Sequence, residues 1–114
     1  MIRMTSFLAA IAVVGFFAIS EPQAASATTF ELVIHHAELE DTGISPKVGD
    51  TITFINDADI SHNLYLTYED GHVETLDTQI PKTKKSVVLR QPGKVVVRCW
   101  IHPVIRMEMT VGAN

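Results

Sequence analysis

The chain has 114 residues and a formal net charge of −4 at pH 7, with 46% apolar residues, 19% charged residues and one cysteine. It is too short for two domains of ordinary size, and it is not basic enough to bind nucleic acid by neutralising phosphates over a broad face. A single cysteine excludes an intramolecular disulfide and a cysteine-rich zinc site. We therefore expect one domain and no nucleic-acid partner.

The first 27 residues have the pattern of an export signal. Arg3 supplies a positive start, residues 7–19 form an uncharged apolar run, and residues 25–27 are small. We predict a signal peptide over residues 1–27 and a mature domain over 28–114 in the bacterial periplasm. The apolar run is shorter than the roughly 20 residues of a bilayer span, so no membrane span is expected after cleavage. A retained N-terminal anchor is the alternative.

The mature part alternates short strand patterns with turn residues and shows no convincing helix. The Asp70-Gly71 pair predicts a hairpin between the third and fourth strands. Seven short strands at this spacing predict an all-β fold, an antiparallel Greek-key β-sandwich. The predicted strands cover residues 30–35, 51–56, 63–68, 72–76, 86–90 and 94–100, and a last strand holds Met107, Met109 and Val111.

The lone cysteine lies in a segment rich in metal-ligating side chains. Cys99 lies near the end of one predicted strand, Met107 lies in the next, and the tight loop between them holds His102. His62 stands 37 positions before Cys99 at the start of another strand. Loops from distant strands meet at one end of a sandwich, so these four side chains can converge. Two imidazoles, a thiolate and a weak thioether suit copper that cycles between +1 and +2.

Two other chemistries use some of the same residues. Zinc could occupy the same ligands but has no redox function. Cys99 and His102 could form a nucleophile pair, but nothing in the sequence suggests an oxyanion site or a third orienting group. We therefore predict that the protein is not an enzyme.

Two segments resemble the cupredoxins, the small blue-copper proteins, and within them the group of amicyanin, pseudoazurin and plastocyanin. The first is residues 48–65, with VGDTITFIN followed by His62-Asn63, and the second is residues 93–111, with the CxxHP motif. The resemblance implies one type-1 copper ion with His62, Cys99 and His102 as ligands, and an Asn63 side chain that ties the two ligand loops together. It also implies a periplasmic dehydrogenase and a c-type cytochrome as redox partners.

The sequence leaves two candidates for the fourth, axial position. Counting four residues after the histidine, as in plastocyanin and pseudoazurin, gives Met107. Aligning the amicyanin loop without gaps gives Ile105. Both residues share one strand face, so alternation does not choose between them. Met107 is favoured here, whereas Ile105 would leave three strong ligands and a higher reduction potential.

Three further positions depart from the family pattern. Trp100 replaces a small hydroxylic residue, which puts one hydrogen bond to the Asn63 loop in doubt. It could lie at a docking surface, but we expect it to pack beside the site. With Glu38 and Glu40, His35 and His36 could bind a second metal, but we expect one to face inward and one to face solvent on a strand. His72, beside the Asp70-Gly71 turn, is expected at the surface.

The favoured function is a periplasmic type-1 copper protein, a monomer that carries single electrons between redox proteins. His102 would lie near the surface as the route of the electron, and Pro103, Val104 and Ile105 would form an apolar docking patch. Two alternatives remain: a copper carrier or assembly protein, and a cupredoxin-like module that holds no metal.

Overall fold

The computed structural model describes Gly15 and residues 26–114. The predicted signal peptide therefore lies outside the described residues except for Gly15, Ser26 and Ala27. Among the described residues, no helix is long and apolar enough to cross a membrane. The strands are β1 (Thr29–Ile34), β2 (Thr51–Asn56), β3 (His62–Tyr68), β4 (Val73–Gln79), β5 (Lys84–Val88), β6 (Gly93–Cys99) and β7 (Arg106–Val111).

The strands form two sheets that enclose one apolar core. One sheet has the order β1-β2-β5 and the other the order β4-β3-β6-β7. Residues alternate between the interior and the surface along each strand, most regularly in β3 and β7. Apart from His62, the interior positions of these two strands are apolar, so their burial holds the two sheets together. The all-β sandwich predicted from the sequence is confirmed.

Two details of the strands differ from the sequence prediction. Strand β1 runs parallel to β2, because residues 35–50 carry the chain back to the end where β1 began and do not form a hairpin. Strand β4 extends to Gln79 and does not end at Leu76. Asp77 has weak strand propensity and a φ of 59° at a register shift, and the pairing of Thr78 and Gln79 with β3 continues the strand beyond it.

The central strands of the four-stranded sheet position the candidate site. Strand β6 lies between β3 and β7, and Cys99 at its end pairs with Leu64 of β3. His62 is the first residue of β3 and lies at this same end of the sheet. The loop from β6 to β7 lies there too. The sheet therefore brings residues that are distant in sequence to one end of the sandwich.

Gly93, at which the preceding turn enters β6, has to be a glycine. Gly93 has φ of 103°, a conformation that side chains rarely adopt, and a Cβ there would overlap the Glu69 carboxylate. We expect Gly93→Ala to lower the free energy of unfolding by about 1–3 kcal/mol. Gly112→Ala is the control, since its φ is not positive and its added Cβ would meet neighbours only at ordinary contact distance. Urea unfolding followed by fluorescence measures both, and equal losses would contradict the strain assigned to Gly93.

Candidate metal centre

Cys99 occupies the end of the core. Alternation along β6 turns Val95, Val97 and Cys99 to the interior, and the thiol is 98% buried, with only 2% of the residue exposed. The cysteine forms no disulfide. The Asn63 N–H donates to Sγ at 3.4 Å, so the sulfur has a polar neighbour in an otherwise apolar setting. Such a thiol is shielded from oxidants and is placed to act as a ligand.

His62 is fully buried, and two polar side chains hold the loop before it. The Asn56 amide donates to the Ile60 and Gln79 carbonyls, both at 3.0 Å, and its oxygen accepts from the Ala58 N–H at 3.0 Å. The Gln79 amide donates to the Phe54 and Thr83 carbonyls at 2.8 Å. These bonds fix the approach to His62, and sequence reasoning gave them no role, although an asparagine that ends an apolar strand is a hint of one.

His102 lies on the short loop between β6 and β7 and is half-buried. The Trp100 N–H donates to the Asn63 carbonyl at 2.9 Å, which extends the pairing of β6 with β3 one residue past Cys99. The Ile105 N–H then donates to the His102 carbonyl at 3.0 Å and closes a turn. Two main-chain bonds therefore hold this imidazole close to the cysteine.

The three side chains converge through their ligand atoms. Cys99 Sγ lies 3.7 Å from His62 Nδ1 and 4.0 Å from His102 Nδ1, and the two rings are tilted with centroids 4.8 Å apart. Metal–nitrogen and metal–sulfur bonds of about 2.1 and 2.3 Å, meeting near 120°, would separate nitrogen from sulfur by about 3.8 Å. The two observed sulfur–nitrogen distances are close to this value, so Cys99 can share one ion with each imidazole.

The electrostatics of His62 also suit a ligand. Burial lowers the pKa of its imidazole, and the neighbouring His102 and His36 lower it further, against an opposing effect of the His35 main chain. A neutral imidazole keeps a lone pair for a metal. Its Nδ1 lies 3.7 Å from the Cys99 sulfur, so Nδ1 is the nitrogen placed to share an ion with the thiolate.

The two ligand loops are tied by the main chain of Asn63 and not by its side chain. Its N–H contacts the sulfur and its carbonyl accepts from Trp100, whereas its side-chain oxygen is buried without a partner among the described residues. The side-chain tie implied by the family resemblance is therefore absent. Replacement of the usual hydroxylic residue by Trp100 accounts for this difference.

Trp100 lies on the outer face of the sheet. Its ring stacks on Tyr65, with centroids 4.0 Å apart and planes 20° apart, and the residue is 59% exposed. Trp100 therefore packs against one neighbour but stays mostly exposed, and this neighbour, Tyr65, is diagonal to it across β3 and β6. Sequence reasoning did not single out Tyr65, because nothing local to Trp100 specifies the register between these strands.

The predicted apolar docking patch has different members. Ile105 is only 1% exposed because it faces the core, so it does not belong to the surface. The other two predicted members, Pro103 and Val104, are exposed, and so are Trp100 and Ile101. We call Trp100, Ile101 and Val104 the apolar rim. All three lie within two residues of His102 in the chain.

The second metal site considered for His35 and His36 gains no support. Both histidines are exposed, and the expectation that one faces inward is wrong, because β1 ends at Ile34 and the chain turns there. His35 Nε2 lies 3.7 Å from a Glu40 oxygen, and no third ligand joins them in the described part of the chain. His72 is exposed, as predicted.

Both candidates for the fourth position are buried. Ile105 is 1% and Met107 2% exposed, so burial does not distinguish them. Ligation by Met107 stays a prediction. Among residues 26–114, the one group of three or more histidine, cysteine or carboxylate side chains that could share an ion is His62, Cys99 and His102, whose ligand atoms all lie within 4.8 Å of one another.

Solved structures with this architecture are cupredoxins. Amicyanin from Paracoccus versutus superposes with a TM-score of 0.63 at 17% identity, covering 77% of this chain and 83% of that one. A purple cupredoxin from Nitrosopumilus maritimus gives 0.63 at 19% identity, covering 73% and 99%. The fold and the convergence of His62, Cys99 and His102 define a cupredoxin-type protein, which confirms the resemblance found in the sequence.

A curated relative identifies the family more closely, although no family model matches the chain. The methylamine utilization protein MauL of Methylorubrum extorquens is 67% identical over 90 residues, which cover 79% of each chain. The chain belongs to the MauL family. As the sequence predicted, it is a cupredoxin-type protein and not an enzyme.

The preformed trio predicts that a divalent ion stabilises the fold. Zn²⁺ binds thiolate and imidazole without redox change, and any ligand that binds only the folded state raises the melting temperature. We expect one equivalent of Zn²⁺ to raise Tm in the unsubstituted protein and in His72→Ala, a surface control, but not in His62→Ala. Differential scanning calorimetry measures this effect. An equal rise in His62→Ala would show that the ion binds elsewhere.

Proposed function

We propose that this chain is a type-1 copper protein that carries single electrons, with His62, Cys99 and His102 as copper ligands. The observation that carries the proposal is the placement of Cys99 Sγ 3.7 and 4.0 Å from the two Nδ1 atoms. A soft thiolate stabilises Cu(I) and imidazoles tolerate Cu(II), so bound copper supplies a one-electron couple at this site.

The chain's own contribution is to keep the ligands in place while the charge of the site changes. The hydrogen-bonded loop after Asn56 holds His62 in place. Cys99 ends strand β6, which is paired with β3 on one side and with β7 on the other. The Asn63 N–H that points at Sγ stabilises negative charge on the sulfur, which is a means of adjusting a reduction potential. Rigid ligands limit the rearrangement that accompanies electron transfer.

His102 is proposed as the point at which electrons enter and leave. It is half-buried and is bordered by the apolar rim of Trp100, Ile101 and Val104, which are 59%, 49% and 74% exposed. A small apolar surface suits a short-lived complex with a redox protein. The net charge of −4 favours approach of a basic partner at low salt.

The partners are proposed from chemistry and from the relatives. A relative is named for methylamine utilization, so we propose that the electrons come from oxidation of methylamine. A periplasmic dehydrogenase would donate them and a c-type cytochrome would accept them. No nucleic acid takes part, and the protein acts as a monomer.

Export to the periplasm is part of the proposal. Cleavage after Ala27 would make Thr28 the first residue, and the Thr28 nitrogen already bonds to the Asp50 carboxylate at 2.8 Å. A new positive amine there would strengthen that contact. We expect N-terminal sequencing of protein recovered from the periplasm to begin at Thr28. An uncleaved chain in the membrane fraction would instead favour the retained anchor.

Visible absorption of the protein with one equivalent of Cu(II) tests the function. We expect an intense thiolate-to-copper band and a reversible one-electron couple in the unsubstituted protein. Cys99→Ser should lose the band completely, because serine offers no soft thiolate, while the surface variant His72→Ala should keep it.

The other outcomes separate the alternatives. Tight binding of Cu(I) with no reversible Cu(II) state would favour a copper carrier or assembly protein. Loss of all copper on dialysis would favour a module without metal. A band that survives in Cys99→Ser would contradict the ligand assignment itself.

A further inference from the structure

The pairing of β6 with β7 distinguishes the two candidates for the fourth position. The register runs from Gly93 opposite Val111 to Arg98 opposite Arg106 without a shift. One further step places Ile105 opposite Cys99. Met107 is instead opposite Val97, two residues deeper along the strand.

This register makes the separations from the cysteine unequal. Directly opposed residues on one face have Cβ atoms about 4.5–5.5 Å apart, whereas diagonal neighbours are about 7–8 Å apart. Ile105 is a direct neighbour of Cys99 and Met107 is a diagonal one. Both face the interior, so the difference lies in depth and not in orientation.

The two imidazoles approach Cys99 from the side away from Met107. Strand β3 pairs Leu64 with Cys99, and the bond from Trp100 to Asn63 continues this pairing towards the loop. His62 lies one residue further on, and His102 lies on the loop itself. An ion shared by the three ligands is therefore at the level of Cys99 or beyond it, towards the loop.

A thioether at position 107 would have to reach the ion from the side of Cys99 opposite to the two imidazoles. Its sulfur is only two bonds beyond Cβ, and in a diagonal pair the Cβ atoms are farther apart than the about 4.5–5.5 Å of a directly opposed pair. Ile105, in contrast, is bound to the ligand loop by its N–H, which donates to the His102 carbonyl at 3.0 Å. Its branched side chain, 1% exposed, offers carbon and no ligand atom.

We infer that Ile105 covers the fourth position and that Met107 is a core residue, so the metal has three protein ligands. The inference rests on the proposed function, since it concerns the metal held by His62, Cys99 and His102. A site without a thioether favours Cu(I) and raises the reduction potential relative to one that has it. The potential of this protein is then set by an aliphatic side chain and by the hydrogen bond to the sulfur.

Three variants of the copper-loaded protein test the inference. Ile105→Met introduces a thioether opposite Cys99 and should lower the reduction potential and change the visible spectrum. Met107→Leu conserves volume and should leave both unchanged. Met109→Leu is the matched control, since Met109 is opposite Val95 and lies deeper still.

X-ray absorption of the unsubstituted protein gives a second readout that needs no variant to fold. With selenomethionine in place of methionine, the copper edge should show sulfur and nitrogen neighbours but no copper–selenium path. In selenomethionine-labelled Ile105→Met, such a path should appear.

The possible failures are distinguishable. A copper–selenium path in the unsubstituted protein, or a potential that moves in Met107→Leu but not in Met109→Leu, would overturn the inference and leave the copper function intact. Absence of any copper–thiolate band in the unsubstituted protein would defeat the proposed function, and the inference with it.

Discussion

The pairing of β3 with β6 is the constraint on which the site depends. Leu64 opposite Cys99 fixes the cysteine relative to His62, two residues earlier on β3, although 37 positions separate them in the sequence. Strands at the centre of a sheet are bonded on both sides and resist displacement. The sheet thus supplies two of the three ligands, and the apolar core behind it keeps them from moving apart.

The third ligand depends on a loop that is almost fully specified by its main chain. The Trp100 N–H donates to the Asn63 carbonyl at the start of the loop, and the Ile105 N–H donates to the His102 carbonyl at its end. Few residues of the loop lie between these two hydrogen bonds. A short, bonded loop places the imidazole near the surface without making it mobile. This combination suits a group that must contact a partner and also hold an ion in fixed geometry.

Much of this arrangement could be predicted from the sequence. The alternation of Ile52 and Phe54 with Thr51 and Thr53 predicted β2 with its observed ends, and the Asp70-Gly71 pair predicted the hairpin. The CxxHP motif and His62-Asn63 identified the three residues that the fold brings together. Each of these signals lies within one short segment, so it can be recognised without knowing how the segments pack.

What could not be predicted depends on contacts between segments. The end of β4 at Gln79 requires its pairing with His62, which its polar sequence does not indicate. His35 and His36 continue an apparent strand, and only the turn after Ile34 exposes them. Ile105 and Met107 are two residues apart and face the same side of the sheet, so alternation does not distinguish them. Their different distances from Cys99 follow from the register with β6, which is a tertiary property.

An anomalous difference map at the copper edge, from crystals of the copper-loaded protein, would locate the ion. We expect one strong peak, within about 2.0–2.3 Å of Cys99 Sγ and of Nδ1 of both His62 and His102. A copper peak bound elsewhere on the chain, or one that contacts either imidazole through Nε2, would contradict this expectation.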